Sequence, residues 1–197
     1  MVLMNTNNRK ISLNSFLLFL VFLLLMVMTQ TVSAFEFNNT KFILNGQNIK
    51  TATWFNIEVY KIFLYLEEKN SDYEDIVSNK EKKLVKMEFL MDVSKEKLVA
   101  AWTEDVASSC IRDCDRQVKD VKEFLKKMPG VNEGESVYYY ITPDNIDVYV
   151  DKTKIGTLSS KFIDESVLLT MIGKTSPEKM KNKLLGISLP QVSDLRE

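Results

Sequence analysis

No histidine occurs anywhere in the 197 residues. That excludes serine and cysteine triads with an imidazole base, histidine zinc sites and histidine proton shuttles. Acid–base chemistry is left to Asp, Glu, Lys, Tyr or Cys. Cysteine is scarce: both copies, Cys110 and Cys114, lie in the string "CIRDC". No disulfide framework holds the chain together, and two thiols alone make a poor zinc site. Excess charge is also lacking, with 26 basic against 27 acidic side chains and no basic cluster along one face. A nucleic-acid partner is therefore not expected, nor is a metal or cofactor. Internal repeats and low-complexity tracts are absent.

What is present begins with a leader pattern. "NNRK" forms a basic region, Phe16 to Met28 is an unbroken apolar run, and "VSA" ends in small residues at Val32 and Ala34. The run is shorter than the about 20 residues a membrane-spanning helix needs, so residues 1–34 read as a secretory signal peptide. An uncleaved anchor is the alternative. The expected product is a secreted or periplasmic domain over residues 35–197. Without Arg9 and Lys10 it keeps 24 basic and 27 acidic side chains, a net charge of −3. Its length suits one domain burying roughly 70% of its unfolded surface.

An oxidising compartment favours pairing Cys110 with Cys114. On an unbroken helix, however, positions four apart hold their Cβ atoms about 5–6 Å apart, beyond the roughly 3.5–4.5 Å of a disulfide. A bond requires the helix to break there; two free buried thiols, or a redox or metal role, remain open. "NNT" makes Asn38 a glycosylation candidate in a eukaryotic secretory pathway.

Phe42 to Leu44, the string "NGQN", and Ile49 onward read as a hairpin turning at Asn45-Gly46. A long strand, Trp54 to Glu67, follows. It sets Tyr60, Ile62, Leu64 and Leu66 on one face and Ile57, Val59, Phe63 and Tyr65 on the other, with both faces covered. Ser71 or Asp72 caps a short helix. Val85, Met87, Phe89 and Met91 alternate with Lys86 and Glu88 as a half-exposed strand. Ser94 caps a helix with Leu98, Ala101, Trp102 and Val106 inward, and a second runs over Arg116 to Met128. "SVYYYIT", "PDN" and "IDVYVD" form a hairpin, "KTKIGTL" a third strand. Helices over Ser160 to Ile172 and Ser176 to Leu185 close the chain, the latter with Pro177 at its first position and Gly186 as its stop. Strands, helices, strands, helices in that order imply an α+β domain with an antiparallel sheet covered on one face by helices.

Several strings resemble the chalcone isomerase superfamily, which includes flavanone-forming plant enzymes and plastid fatty-acid-binding members. "ESVLLTMIGK", Glu165 to Lys174, followed by "SPEKMKNKLLG", resembles the helix pair that closes that fold. "NGQNIKT" is similar to the turn bearing the family's pocket arginine, "YKIFLYLE" to its central strand, and "VKEFLKKMPGVNEGESVYYYIT" to its helix, loop and strand. The resemblance implies a chalcone isomerase-like open-faced sandwich with a cleft between sheet and helices. Thr170 and Met171 match the family's Thr-Met pair, the pocket arginine corresponds to Lys50, and the strand threonine to Tyr60. The helix that supplies a tyrosine and an asparagine in the plant isomerases reads "VSKEKLVAAW" here, with Ser94 and Ala101 near those positions.

Flavanone formation needs donors that polarise a carbonyl and a planar cation for the oxyanion. Lysine does not reproduce the guanidinium fork, and two supporting groups are missing. Binding a fatty acid asks only for a cation and one or two hydroxyls at the end of an apolar cleft. The expected ligand is thus a small amphipathic acid, a fatty acid or flavonoid-like molecule, held by Lys50, Tyr60, Thr170 and Met171 without catalysis. Met91 or Phe89 is further expected lining. A chalcone-flavanone-type isomerase (intramolecular lyase) and a protein-interaction module with a closed pocket are the alternatives. Taken singly, Lys50 also reads as a solvated lysine, Tyr60 as a core tyrosine, and Thr170 as bonded to the carbonyl one turn earlier.

Overall fold

The computed structural model describes residues 34–52, 57–143 and 145–187. Outside these lie residues 1–33, with nearly all of the expected signal peptide, and Trp54 and Phe55 of the expected long strand.

Seven strands form one antiparallel sheet in chain order. They are β1 (Ala34–Phe37), β2 (Thr40–Ala52), β3 (Ile57–Leu66), β4 (Lys83–Phe89), β5 (Ser136–Thr142), β6 (Asn145–Val150) and β7 (Thr153–Ser159). The helices are α1 (Tyr73–Ser78), α2 (Lys95–Ser109), α3 (Cys114–Leu125), α4 (Ile163–Ile172) and α5 (Glu178–Leu184). The architecture is the expected α+β one, an antiparallel sheet with helices packed against it.

The hairpin expected at Asn45-Gly46 turns elsewhere. Asn38 and Asn39, both at positive φ (48° and 58°), make the two-residue turn between β1 and β2, the conformation that a tight primed turn requires. Asn45-Gly46 instead interrupts the register inside β2, where Leu44 faces Tyr65 and Gly46 faces Leu64. Its extra residue is a bulge. The cause is long-range: a Cβ on Gly46 would collide with the carbonyl oxygens of Lys183 and Leu184 in α5. Asn45 is buried and donates from Nδ2 to the Asn70 and Leu184 carbonyls at 2.8 and 2.9 Å, while Asn70 N donates to its Oδ1 at 2.9 Å.

One face of the sheet carries the main core. Ile62 and Leu64 of β3, Val85, Met87 and Phe89 of β4, and Val137 and Tyr139 of β5 pack against Leu98 and Val106 of α2, Phe124 of α3, Leu168 and Met171 of α4 and Leu184 of α5. Among the described residues no helix contributes to the cluster on the opposite face, correcting the expectation that both faces of β3 are covered. Ile57 is exposed and Phe63 and Tyr65 are half-buried. That side holds a smaller aromatic cluster, because the sheet curls enough to bring Phe37 within 5.4 Å of the Tyr138 ring and 5.2 Å of the Tyr149 ring.

Helix signals held with small shifts of boundary. Asp72 caps α1, its carboxylate accepting from the Glu74 and Asp75 amides. Ser94 caps α2, but Ala101 turns outward rather than into the core. The helices do break between the cysteines: Cys110 ends α2, Asp113 adopts a left-handed φ of 52°, and Cys114 opens α3. Cys110 and Cys114 are disulfide-bonded, their Cα atoms 5.6 Å apart. α3 thus begins before Arg116 and ends before Met128. α4 starts at Ile163 rather than Ser160, and Pro177 sits one residue before α5. After α4 the Ser176 hydroxyl donates to the Leu169 and Thr170 carbonyls (3.2 and 3.0 Å), adding to the Gly173 amide on Leu169 and reaching a last-turn carbonyl at Thr170.

Gly46→Ala is expected to cost about 1–3 kcal/mol, the range for overpacking a close contact, read as a lowered urea midpoint. An unchanged midpoint would show that α5 does not need the approach that Gly46 permits.

Candidate functional site

Lys50 and Tyr60 are direct cross-strand partners on β2 and β3, a relation that places side chains on one face about 4.5–5.5 Å apart at Cβ. Both line a cavity of about 60 Å³ between the sheet and the helices, and so do Thr170 and Met171 from α4. The four side chains singled out as ligand contacts therefore border one space. The expected lining by Met91 and Phe89 is corrected: Phe89 lies behind Tyr60, ring centroids 5.4 Å apart, and the thioethers on the wall are those of Met87, Met171 and Met180. Ser94 and Ala101 do not border the cavity; α2 contributes Trp102, Asp105 and Val106.

The remaining wall is largely aliphatic and aromatic, with Ile62, Phe124, Val148 and Leu158 among its members. Set into it is a polar group of four. Lys50 and Asp105 interact electrostatically, and Asp105 also acts on Tyr60 and Tyr139. Among the described residues no side-chain hydrogen bond or ion pair engages any of these four. Burial lifts the Tyr60 and Tyr139 hydroxyls above the usual phenol range, and the Asp105 charge adds to the effect. Desolvation also raises the Asp105 carboxyl, with Lys50 pulling the other way and Glu104 reinforcing the rise. Both phenols stay protonated at neutral pH and can donate. Trp102 stacks edgewise on Tyr139 at 5.3 Å.

Thr170 lines the cavity and also makes the bond to the preceding turn that was its alternative reading. Its hydroxyl donates to the Val167 carbonyl at 2.7 Å, so toward the cavity it has lone pairs to offer and no free hydrogen. Asn38 lies away from this site in its turn, where Nδ2 donates to the Tyr149 hydroxyl at 2.8 Å. Thr40 of the same sequon is buried, its hydroxyl 3.2 Å from that of Tyr140.

The sequence reading passed over Asp105 and Tyr139. Tyr139 was legible as the middle member of the inward alternation Val137, Tyr139, Ile141. Asp105 follows Leu98 and Trp102 at helical spacing and abuts Val106, so a carboxylate stood on the apolar stripe of α2.

A chalcone isomerase-like family model matches residues 28–186. The chain belongs to the chalcone isomerase-like family. Among curated proteins none matches it in sequence. Among solved structures, this family member is similar to a fatty-acid binding protein of Arabidopsis thaliana, with a TM-score of 0.63 at 12% identity, covering 78% of this chain and 96% of that one. At that identity the likeness establishes the fold.

A raised carboxyl has a definite stability signature. Between the ordinary aspartate range and its raised folded one, Asp105 keeps in the folded chain a proton that the unfolded chain has released, so stability is lost as the pH rises through that interval. Asp105→Asn should therefore raise Tm at pH 7, with the gain vanishing below about pH 3.9, where an ordinary aspartate is itself protonated. Thermal melts at pH 7 and pH 3.5 check this; an unchanged or lower Tm at pH 7 would mean that the carboxylate is well solvated.

Proposed function

We propose that this protein is an exported carrier of a fatty acid or similar small amphipathic acid, which it binds without turning over. The observation that carries the reading is the shared cavity: one ammonium and two phenol hydroxyls that make no side-chain hydrogen bond or ion pair among the described residues, in a largely apolar wall that also bears Asp105, Thr170 and the methionines Met87, Met171 and Met180. A carboxylate is held by such donors, and its tail is stabilised at about 0.8 kcal/mol per buried CH₂. The cavity is narrower than the about 300–1,000 Å³ of drug-sized sites. Binding a long tail entails rotation of Met87, Met171 and Met180, whose unbranched thioethers adapt at low cost. The solved relative that bears the name of a fatty-acid binding protein has the same fold.

Asp105 argues against the isomerase alternative. An oxyanion accumulating in the transition state needs converging donors, and a carboxylate on the same wall as Lys50, the one cation there among the described residues, opposes that charge. Export is supported by the leader pattern and by the Cys110–Cys114 disulfide, since such bonds persist in oxidising compartments.

Lys50→Met should weaken decanoate binding by about 1.5–3 kcal/mol, the range for a hydrogen bond to a charged group. Thr170→Ala should change it far less, because its hydroxyl hydrogen is committed to Val167. Calorimetric titration of the two variants tests both statements; equal effects, or none from Lys50→Met, would relocate the anchor.

A further inference from the structure

Among the described residues Asp105 is the one acidic side chain on the cavity wall, borne on α2, with Lys50, Tyr60 and Tyr139 contributed by the sheet. It makes no side-chain hydrogen bond or ion pair among the described residues. The ionisable groups that act on it are Lys50 from β2, Tyr60 from β3, Tyr139 from β5 and Glu104 from its own helix; the lining residues of α3 and α4 bring no ionisable group. With Lys50 and Asp105 both ionised, the polar end of the cavity is already neutral. A bound carboxylate adds a second negative charge to a space with one cation. Two carboxylates confined together in an apolar site do not both remain ionised; one takes a proton.

We propose that Asp105 is a ligand-binding residue and that the cavity selects a carboxyl head group that shares one proton with the Asp105 carboxyl, while Lys50 and the two phenols donate to the remaining oxygens. The inference rests on the fatty-acid reading above. The balance is one ionised Asp105, one carboxylate and one proton from solvent giving a complex with a single shared proton. Asp105 thereby chooses a head group that both donates and accepts, and it makes retention depend on pH. Desolvation, which already raises the Asp105 carboxyl, acts in the same direction. By linkage, the complex holds one proton where the two ionised partners hold none, so affinity rises as the pH falls toward the range where free Asp105 titrates. It falls by up to about tenfold per pH unit above the range where free Asp105 titrates. The ligand is held in an acidic setting and released in an alkaline one.

The test uses decanoic acid with the protein expressed from the full chain. Calorimetric titrations at pH 8 in two buffers of different ionisation enthalpy count the protons taken up on binding. The expected result is about one proton for the unaltered protein and none for Asp105→Asn, which should also bind decanoate about tenfold more tightly at pH 8 and show a flat affinity between pH 7 and 9. The proton count on the unaltered protein stands whether or not the variant folds. Decanoate bound with no proton uptake overturns the shared proton and leaves the carrier reading intact. Failure of both proteins to bind decanoate overturns both.

Discussion

Two opposite charges set into one apolar wall, near enough to feel each other yet without a contact ion pair, are the constraint on which the rest of this molecule's chemistry depends. A desolvated charge is costly unless it is paired or hydrogen-bonded. A direct Lys50–Asp105 bridge would spend both groups on each other and leave an inert core. Because the ammonium comes from β2 and the carboxylate from α2, their separation is fixed by how a helix sits on the sheet. Each keeps unused bonding capacity. The same holds for the hydroxyls of Tyr60 and Tyr139, which burial keeps protonated.

The bulge at Asn45 decides that Lys50 belongs to this wall. Ahead of it, odd-numbered residues of β2 face inward, as Ile43 opposite Leu66 shows; beyond it the even-numbered ones do, with Gly46 opposite Leu64 and Lys50 opposite Tyr60. An uninterrupted strand would carry Lys50 to the other face, since a slip of one residue exchanges the two sides. That change of face is held in place by Asn45, which bonds to Leu184 and Asn70, and by Gly46, which lets α5 approach. A packing detail of β2 outside the cavity lining thus supplies the one cation that lines it among the described residues.

This is also where sequence reasoning reached its limit. Strands with clean alternation were legible: Val85, Met87 and Phe89 proved buried, as did Ile146 and Val148. So were caps whose partners lie within a few residues, such as Asp72 and Ser94, and the need for a helix break at Cys110 and Cys114. Asn-Gly and Asn-Asn, by contrast, have similar local preferences for positive φ. What separates them is contact with carbonyls some 140 residues away, which no local pattern carries. Asp105 escaped for a related reason: an acidic residue on a helix is by default solvated, and only the position of the sheet turns that stripe toward a cavity. Lys50, Tyr60, Thr170 and Met171 were reached through the resemblance of whole strings, and their meeting at one cavity owes more to family architecture than to any single residue's chemistry.

That position 50 bears an ammonium rather than a guanidinium matters beside Asp105, the two being the cation and the acid of the cavity wall. A guanidinium offers a rigid fork that a single carboxylate satisfies with two parallel bonds. Beside a wall carboxylate that fork favours an internal bridge or a lone anionic ligand, one excluding the other. An ammonium has three donors on a flexible stem and can address two acceptors at once. It therefore tolerates an aspartate nearby without being captured by it, and it can hold a ligand oxygen while the second negative charge is neutralised by a proton. In the proposed reading, this pairing of a less directional cation with a desolvated acid favours carboxylic acids over carboxylates.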